Sequence, residues 1–425
     1  MWKRQFSSYA IKDYSIFKRQ VLQYLEHCST FCFLDNHGYQ FNSTYECLTA
    51  IGKLQSVSPR DFSGVDQLHR QTGDWIFGHV SYDYKNTLHG LQSSHPDEIG
   101  FEDLHFFVPR AVLILEPGRV RIGMHEPRQA DRLFEQISAL RLKEETPAEP
   151  ARFQSRFSRE DYLQTVKDLK AHIYRGDCYE INFCQEFFAH HNIYDPLAVY
   201  QKLCGISPAP FSACYRMGDR YLLSASPERF IRRSGEVLVA QPMKGTAARV
   251  PGDPLADSQS REALLQCGKE RAENTMIVDL VRNDLSKVCT EGSVQVTAFL
   301  EVHSFPQVHQ MISTVEGRLP GGTPVGAVME ATFPMGSMTG APKRRVMELI
   351  ERYERTRRGL FSGSVGYIDP QGNFDFNVVI RSILYHSARK YVSIQCGSAI
   401  TAGSDPQKEY EECLLKAEAL IRALS

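Results

Sequence analysis

Apolar residues recur along this chain at two different intervals, and the interval separates strands from helices. Short apolar runs that end in turn residues come first. Phe31-Cys32-Phe33-Leu34 leads into Asp35-Asn36-His37-Gly38, and Trp75 to Val80 and Ala111 to Leu115 are further runs of this kind. They predict strands, so residues 1–142 read as an amino-terminal sheet-rich region. After residue 158 a helical interval begins: Tyr162, Val166, Leu169 and Ile173 share one face until Gly176, and Ser158 followed by Asp161 is a variant of the capping box. Helical patterns return at about 261–287, 342–354 and 406–423. Strand patterns fall at 181–188, 213–217, 221–224, 230–232, 237–240, 293–299, 309–317, 363–369, 377–385 and 391–396.

Short links such as Arg233-Ser234-Gly235 favour antiparallel pairing. Runs of strands punctuated by whole helices, without a strand-helix-strand rhythm, predict an α+β fold rather than a doubly wound sheet. The stretch Lys143-Glu144-Glu145-Thr146-Pro147-Ala148-Glu149-Pro150 carries charge and proline without periodicity, so 143–157 reads as a linker and 158–425 as a second region.

Composition narrows the function. With 49 basic and 50 acidic side chains the formal charge is -1, which offers no electrostatic footprint for nucleic acid or an acidic membrane. Small-molecule chemistry fits better. None of the 11 cysteines forms a Cys-x-x-Cys pair, and spacings such as Cys178 to Cys184 suit neither zinc nor a disulfide frame. Met1-Trp2-Lys3-Arg4-Gln5-Phe6 lacks the apolar run of a signal peptide, and no stretch approaches the ~20 apolar residues of a membrane helix. The expectation is a cytoplasmic chain with reduced thiols.

Two acidic pairs carry the first chemical signal. Glu270 and Glu273 sit three apart in a helical segment whose apolar residues Met276, Ile277, Leu280 and Val281 point elsewhere. Glu409 and Glu412 repeat the spacing in the last helix, where Asp405 suits the cap and Pro406 the first position. Either pair alone is ordinarily a solvated helix face. Together they suit magnesium, a hard cation held by one or two carboxylates plus water and substrate oxygens. Gly336 to Lys343 lacks the Gly-x-x-x-x-Gly-Lys-Ser/Thr spacing of a phosphate loop, so a nucleotide site is rejected.

A lysine before Gly-Thr is usually a surface charge, but Lys244 in Gln241-Pro242-Met243-Lys244-Gly245-Thr246 keeps unusual company. Ser226-Pro227-Glu228-Arg229-Phe230 precedes it; Glu270-Arg271-Ala272-Glu273-Asn274, Gly336-Ser337-Met338-Thr339-Gly340-Ala341-Pro342-Lys343, Cys396-Gly397-Ser398-Ala399-Ile400 and Glu409-Tyr410-Glu411-Glu412 follow. In this order the motifs resemble the chorismate-utilising enzymes, and within them the aminodeoxychorismate synthases, over roughly residues 155–420. The resemblance implies a layered sandwich of two antiparallel sheets with helices outside. It implies that Glu273 and Glu412 bind magnesium directly while Glu270 and Glu409 act largely through water. Ser337, Gly397 and Ala399 would meet the ring carboxylate of chorismate, and Tyr367 and Arg381 its enolpyruvyl group. His309 would orient substrate or handle a proton.

The implied chemistry is a pair of allylic displacements. Glu228, its pKa raised by burial, would protonate the departing 4-hydroxyl as Lys244 attacks ring carbon 2; ammonia would then enter at ring carbon 4 and expel the lysine. For this Lys244 has to be neutral, with desolvation and a nearby divalent cation pushing its pKa down. Anthranilate synthases generally carry alanine at the position of Lys244. Isochorismate and salicylate synthases carry a base lysine where this chain has Glu180, and aminodeoxychorismate synthases often place Gln there, so Glu180 departs from both. Ala399 departs too, since relatives often have a second glycine. The chain has no Gly-x-Cys-x-Gly-x-Gln pattern, so the resemblance implies a separate glutamine amidotransferase subunit as ammonia source. Two alternatives stay open: anthranilate synthase component I, and a catalytically silent scaffold that binds the amidotransferase.

Overall fold

The computed structural model describes residues 3–39, 44–143, 151–305 and 308–425. Its strands form two sheets in which every pairing is antiparallel. The larger runs in the order Gln5–Ala10, Arg119–Met124, Ala111–Glu116, Cys47–Ile51, Thr30–Asp35, Phe211–Met217, Arg220–Ser226, Ser382–His386, Tyr391–Ile400, Glu180–His190 and Gly340–Ala341. The smaller runs Met243–Ala248, Val308–Arg318, Val237–Ala240, Arg229–Ser234, Phe374–Asn377, Ser364–Ile368, Ile76–Val80, Leu104–Val108 and Gln55–Val57. The two sheets and their covering helices match the expected α+β sandwich. Strands from before residue 143 stand in both sheets, hydrogen-bonded to strands from the second region at Thr30–Asp35 with Phe211–Met217 and at Ile76–Val80 with Ser364–Ile368.

Alternation along the strands decides which core each side chain enters. Phe31, Phe33, Cys214, Leu223 and Ile383 face a core shared with the outer helices, including Tyr14–Leu25, Pro127–Ser138, Arg159–Tyr174 and Pro406–Ala423. Their neighbours Cys32, Ala213, Tyr215, Leu222 and Leu384 face the opposite way and pack against Phe77, Phe106, Val365 and Phe376 of the second sheet. The strand Thr30–Asp35 is therefore buried on both faces, which is why it reads as an unbroken apolar run.

The helix entering the second region forms over Arg159–Tyr174, with the Ser158 side chain accepting from the Asp161 N–H. Where one helix is expected over 261–287, two are found, Pro254–Gln266 and Gly268–Ser286. Asp253 caps the first by accepting from the Leu255 and Ala256 N–H groups, Pro254 opens it, and extended Cys267 followed by Gly268 ends the continuity. The strand expected over 377–385 also divides: Phe374–Asn377 belongs to the smaller sheet and Ser382–His386 to the larger. Between them the chain crosses from sheet to sheet, and Arg381 takes a left-handed φ of 51° at the crossing. Of the expected linker, residues 144–150 lie outside the described residues, while Gln154–Ser155 pairs with Phe187 and Phe188 at the sheet margin. Among the described residues no helix is long and apolar enough to cross a membrane.

Candidate active site

A cavity of about 590 Å³ opens between the strand Met243–Ala248, the ends of Glu180–His190 and Tyr391–Ile400, and the helices Gly268–Ser286 and Pro406–Ala423. Lys244 reaches it through an irregularity in its strand: pairing with Val308–Arg318 shifts register between Met243 and Thr246. Gly245 in that bulge has φ +87° and lies so close to Glu270 that a Cβ would stand 3.1 Å from the carboxylate. Only glycine takes this position without strain, and the turn it permits aims Lys244 inward. Thr246 donates to Gln310 Oε1 at 2.9 Å and Gln310 donates to the Gly245 carbonyl at 2.7 Å, holding the bulge in place.

The lysine is enclosed, with 11 % of its side chain exposed, and its Nζ stands 3.0 Å from Glu180 Oε1. Burial pushes the ammonium's pKa down, but Glu180 first, then Glu273 and Glu228, outweigh it and hold the proton on more firmly than in an ordinary lysine. The expected lowering is thus not what the surrounding side chains produce. The acids around Lys244 exceed the effect of its burial.

The carboxylate pairs do converge. Glu270 and Glu273 from one helix and Glu409 and Glu412 from the other all line the cavity. Burial, then Glu180 and Glu270 against the opposing pull of Lys244, pushes Glu273 up to about 7. Burial also raises Glu270, whereas Lys416 overcomes burial and lowers Glu412. Glu273 Oε1 and Glu409 Oε2 are buried without a hydrogen-bond partner. Among the described residues no three acidic, histidine or cysteine side chains form a ready-made metal cage, so an ion here would complete its shell with water and substrate oxygens, as magnesium does. Two lysines temper the acidity. Lys269 Nζ lies 3.4 Å from Glu409 and 3.7 Å from Glu273, and Lys416 Nζ lies 2.6 Å from Glu412 while donating to the Gly397 carbonyl at 2.8 Å.

Glu228 and Ser337 line the same cavity. Burial pushes the Glu228 carboxyl up to about 7 against the opposing pull of Ser337 and Lys244, so it holds its proton to higher pH than an ordinary carboxyl. Arg381 lines the wall at its strained crossing, and among the described residues its guanidinium has no ion pair or side-chain hydrogen bond. A cation presented this way suits an anionic ligand. Gly397 must be glycine, because a Cβ would stand 2.1 Å from the Phe183 carbonyl and 2.5 Å from Cys184 Sγ. Ala399 lines the cavity and adds its methyl to the wall.

Two expected residues lie elsewhere. His309 alternates with Val308 and Gln310, which line the cavity, so its ring points to the other face of the strand. There it contacts Ser304 Oγ at 2.9 Å and Asp257 Oδ1 at 3.1 Å, tying the helix Pro254–Gln266 to the sheet. Tyr367 turns with Val365 into a second cavity, where its ring centroid is 5.7 Å from both Tyr45 and Trp75. The aromatic in the Lys244 cavity is Phe361. Sequence reasoning also passed over Glu180, Lys269 and Lys416 as working groups. Spacing of four from Glu273 and Glu412 could have flagged the two lysines, but nothing local signals that Glu180 meets Lys244.

Residues 32–422 match the family described as chorismate binding enzyme. The chain is 36% identical over 368 residues to anthranilate synthase component 1 of Thermus thermophilus, covering 82% of this chain and 77% of that one. It is 34% identical over 348 residues to aminodeoxychorismate synthase component 1 of Salmonella typhimurium, covering 82% and 76%. Among solved structures, anthranilate synthase component I from Streptococcus pneumoniae superposes with a TM-score of 0.77 at 24% identity, over 98% of this chain and 92% of that one. The menaquinone-specific isochorismate synthase from Escherichia coli superposes at 0.79 with 18% identity, over 100% and 95%. These two likenesses are of fold.

Proposed function

The chain belongs to the chorismate binding enzyme family, and within it we propose that this member aminates chorismate at ring carbon 4, yielding 4-amino-4-deoxychorismate as in the first step toward 4-aminobenzoate and folate. The observation that carries the reading is Lys244: an enclosed amine on a glycine bulge, in one cavity with a buried carboxyl, Glu228. A nucleophile and a proton donor are the two groups that a displacement through a covalent adduct needs. The alanine that anthranilate synthases generally carry at this position has no nucleophilic atom.

Chorismate brings two carboxylates. Arg381 would take the enolpyruvyl carboxylate, since its guanidinium faces the cavity with no protein partner among the described residues. Ser337 and the wall around Gly397 and Ala399 would receive the ring carboxylate. A dianion entering beside Glu270, Glu273, Glu409 and Glu412 calls for compensating positive charge, and the buried Glu273 and Glu409 oxygens that lack a hydrogen bond fit magnesium in donor type and burial. Glu273 and Glu412 would hold the ion, with Glu270 and Glu409 acting through its waters; when bound it would withdraw charge from the ring carboxylate. Lys244 attacks ring carbon 2, Glu228 delivers its proton to the departing hydroxyl, and ammonia then displaces the lysine from the far end of the allylic system. The ammonia would come from a glutamine amidotransferase subunit, or directly from ammonium salts.

Anthranilate synthesis is the second reading, because 36% identity to one such enzyme and 34% to an aminodeoxychorismate synthase do not separate the two. The products separate them. With chorismate, magnesium chloride and ammonium chloride, the purified chain is expected to give 4-amino-4-deoxychorismate by liquid chromatography with mass detection. Anthranilate or isochorismate as the main product would overturn the proposal, and chelation of magnesium is expected to stop turnover.

A further inference from the structure

We propose that Glu180 is the proton acceptor that turns Lys244 into a nucleophile and the donor that later restores its charge, an inference that rests on the amination reading above. The contact is direct, 3.0 Å from Nζ to Oε1, and the Glu180 side chain is 0 % exposed. Among the described residues neither Glu180 oxygen has a well-directed hydrogen bond, and Lys244 is its one ion pair. A carboxylate so enclosed is costly to keep charged. Gln would fill the same space without that cost, so the acid calls for an explanation. Accepting the lysine's proton relieves the cost at the moment when the amine has to be free.

The alternatives within reach are committed elsewhere. Glu273, Glu228, Glu270 and Glu412 also feel the charge of Lys244, but none lies within ion-pair distance, and the only such contact among the described residues is to Glu180. Glu228 is assigned to the leaving hydroxyl, and the other three line the side of the cavity given to the metal. Glu180 is fully enclosed while Lys244 keeps 11 % of its side chain exposed, so the amine meets solvent only on the side away from Glu180.

The protons then balance without an outside acid or base. Nζ gives a proton to Glu180 and its lone pair forms the bond to ring carbon 2. The two conjugated ring double bonds shift together, the bond from ring carbon 4 to oxygen breaks, and the hydroxyl leaves as water with the Glu228 proton; both double bonds shift back in the second displacement. The adduct is a secondary ammonium. Ammonia next forms its bond to ring carbon 4 while the lysine bond breaks and the pair returns to Nζ. Glu180 gives its proton back to the lysine, the new ammonium at ring carbon 4 gives one to Glu228, and both carboxyl groups end as they began. Nothing is oxidised or reduced.

The test compares full-length wild type, Glu180→Gln and Glu180→Asp, with chorismate, magnesium and constant free ammonia between about pH 6 and 10. Glu180→Gln is expected to lose on the order of 10²-fold in kcat at neutral pH and to recover about tenfold per pH unit, as hydroxide takes over the proton. Glu180→Asp, which keeps a carboxylate, is expected to retain the wild-type profile at a reduced rate, and it also serves should the amide variant fold poorly. Two results would overturn the assignment: Glu180→Gln within about twofold of wild type, or both variants falling equally with unchanged profiles, the mark of a packing role. Wild type that makes no aminated chorismate would overturn the amination reading and this inference with it. An active wild type with an indifferent Glu180→Gln would overturn this inference alone.

Discussion

Two of the cavities that draw walls from both sheets differ in almost everything else. The one at Lys244 measures about 590 Å³ and is walled by five carboxylates, three lysines and an arginine from strands and helices together. The one at Tyr367 measures about 50 Å³ and is built largely from strands, with Tyr45, Phe211 and Tyr367 among its lining. Strands can offer only every second residue to a given face, so a cavity made from strands alone collapses around large side chains. The strand-built cavity has Asp35, Glu46 and Asp375 in its lining but no lysine or arginine, whereas cations join the acids where two helices bring i, i+3 pairs over the end of the sheets. Architecture, not composition, separates the large cavity with cations and acids together from the small packed one.

The largest expected effect breaks that comparison at its centre. Lys244→Gln should cost on the order of 10³-fold in amination measured with ammonium and chorismate; near-normal turnover would reduce the first cavity to a binding pocket. Glu228→Gln should cost on the order of 10²-fold and leave a kcat profile without the wild-type decline above pH about 7, because the proton that Glu228 would donate is lost as pH rises through that value. The same substitution should act oppositely on stability. The folded-state pKa lies above the ordinary value of 4.5, so this carboxyl's contribution to stability is fully present below 4.5 and lost as pH rises through about 7. Gln avoids that loss, so urea melts should show the variant gaining up to about 3 kcal/mol on wild type at pH 8 relative to pH 4.

Smaller effects sharpen the boundary. His309→Asn removes the contacts to Asp257 and Ser304 and should lower unfolding stability by about 1–3 kcal/mol while KM for chorismate stays within about threefold. A large KM change with unaltered stability would return His309 to the substrate. Tyr367→Phe should be the mildest, within about twofold in kcat/KM and about 1 kcal/mol in stability; a selective loss of chorismate binding would show the two cavities to be coupled.

The sandwich was legible because alternation and helical spacing are local: Phe31 to Leu34, the Ser158 cap and the last helix over Pro406–Ala423 all stand where the pattern predicts. The divided elements were not, since Cys267 and the crossing at Arg381 are breaks that an apolar count reads straight through. Motifs led to most of the site for the same reason, and failed at Tyr367 and His309, where the face a strand residue occupies depends on the register of its neighbours.

By itself the sequence determined the two acidic helix faces, the Lys-Gly step and the strands between them, because each is encoded within a few residues through backbone periodicity and glycine's access to positive φ. The tertiary structure alone decided that Glu180 meets Lys244, that Arg381 faces the cavity at a crossing between sheets, and that Phe361 rather than Tyr367 lines that cavity. Those relations join segments remote in the chain, and they exist only once register and packing have chosen which face each strand turns inward.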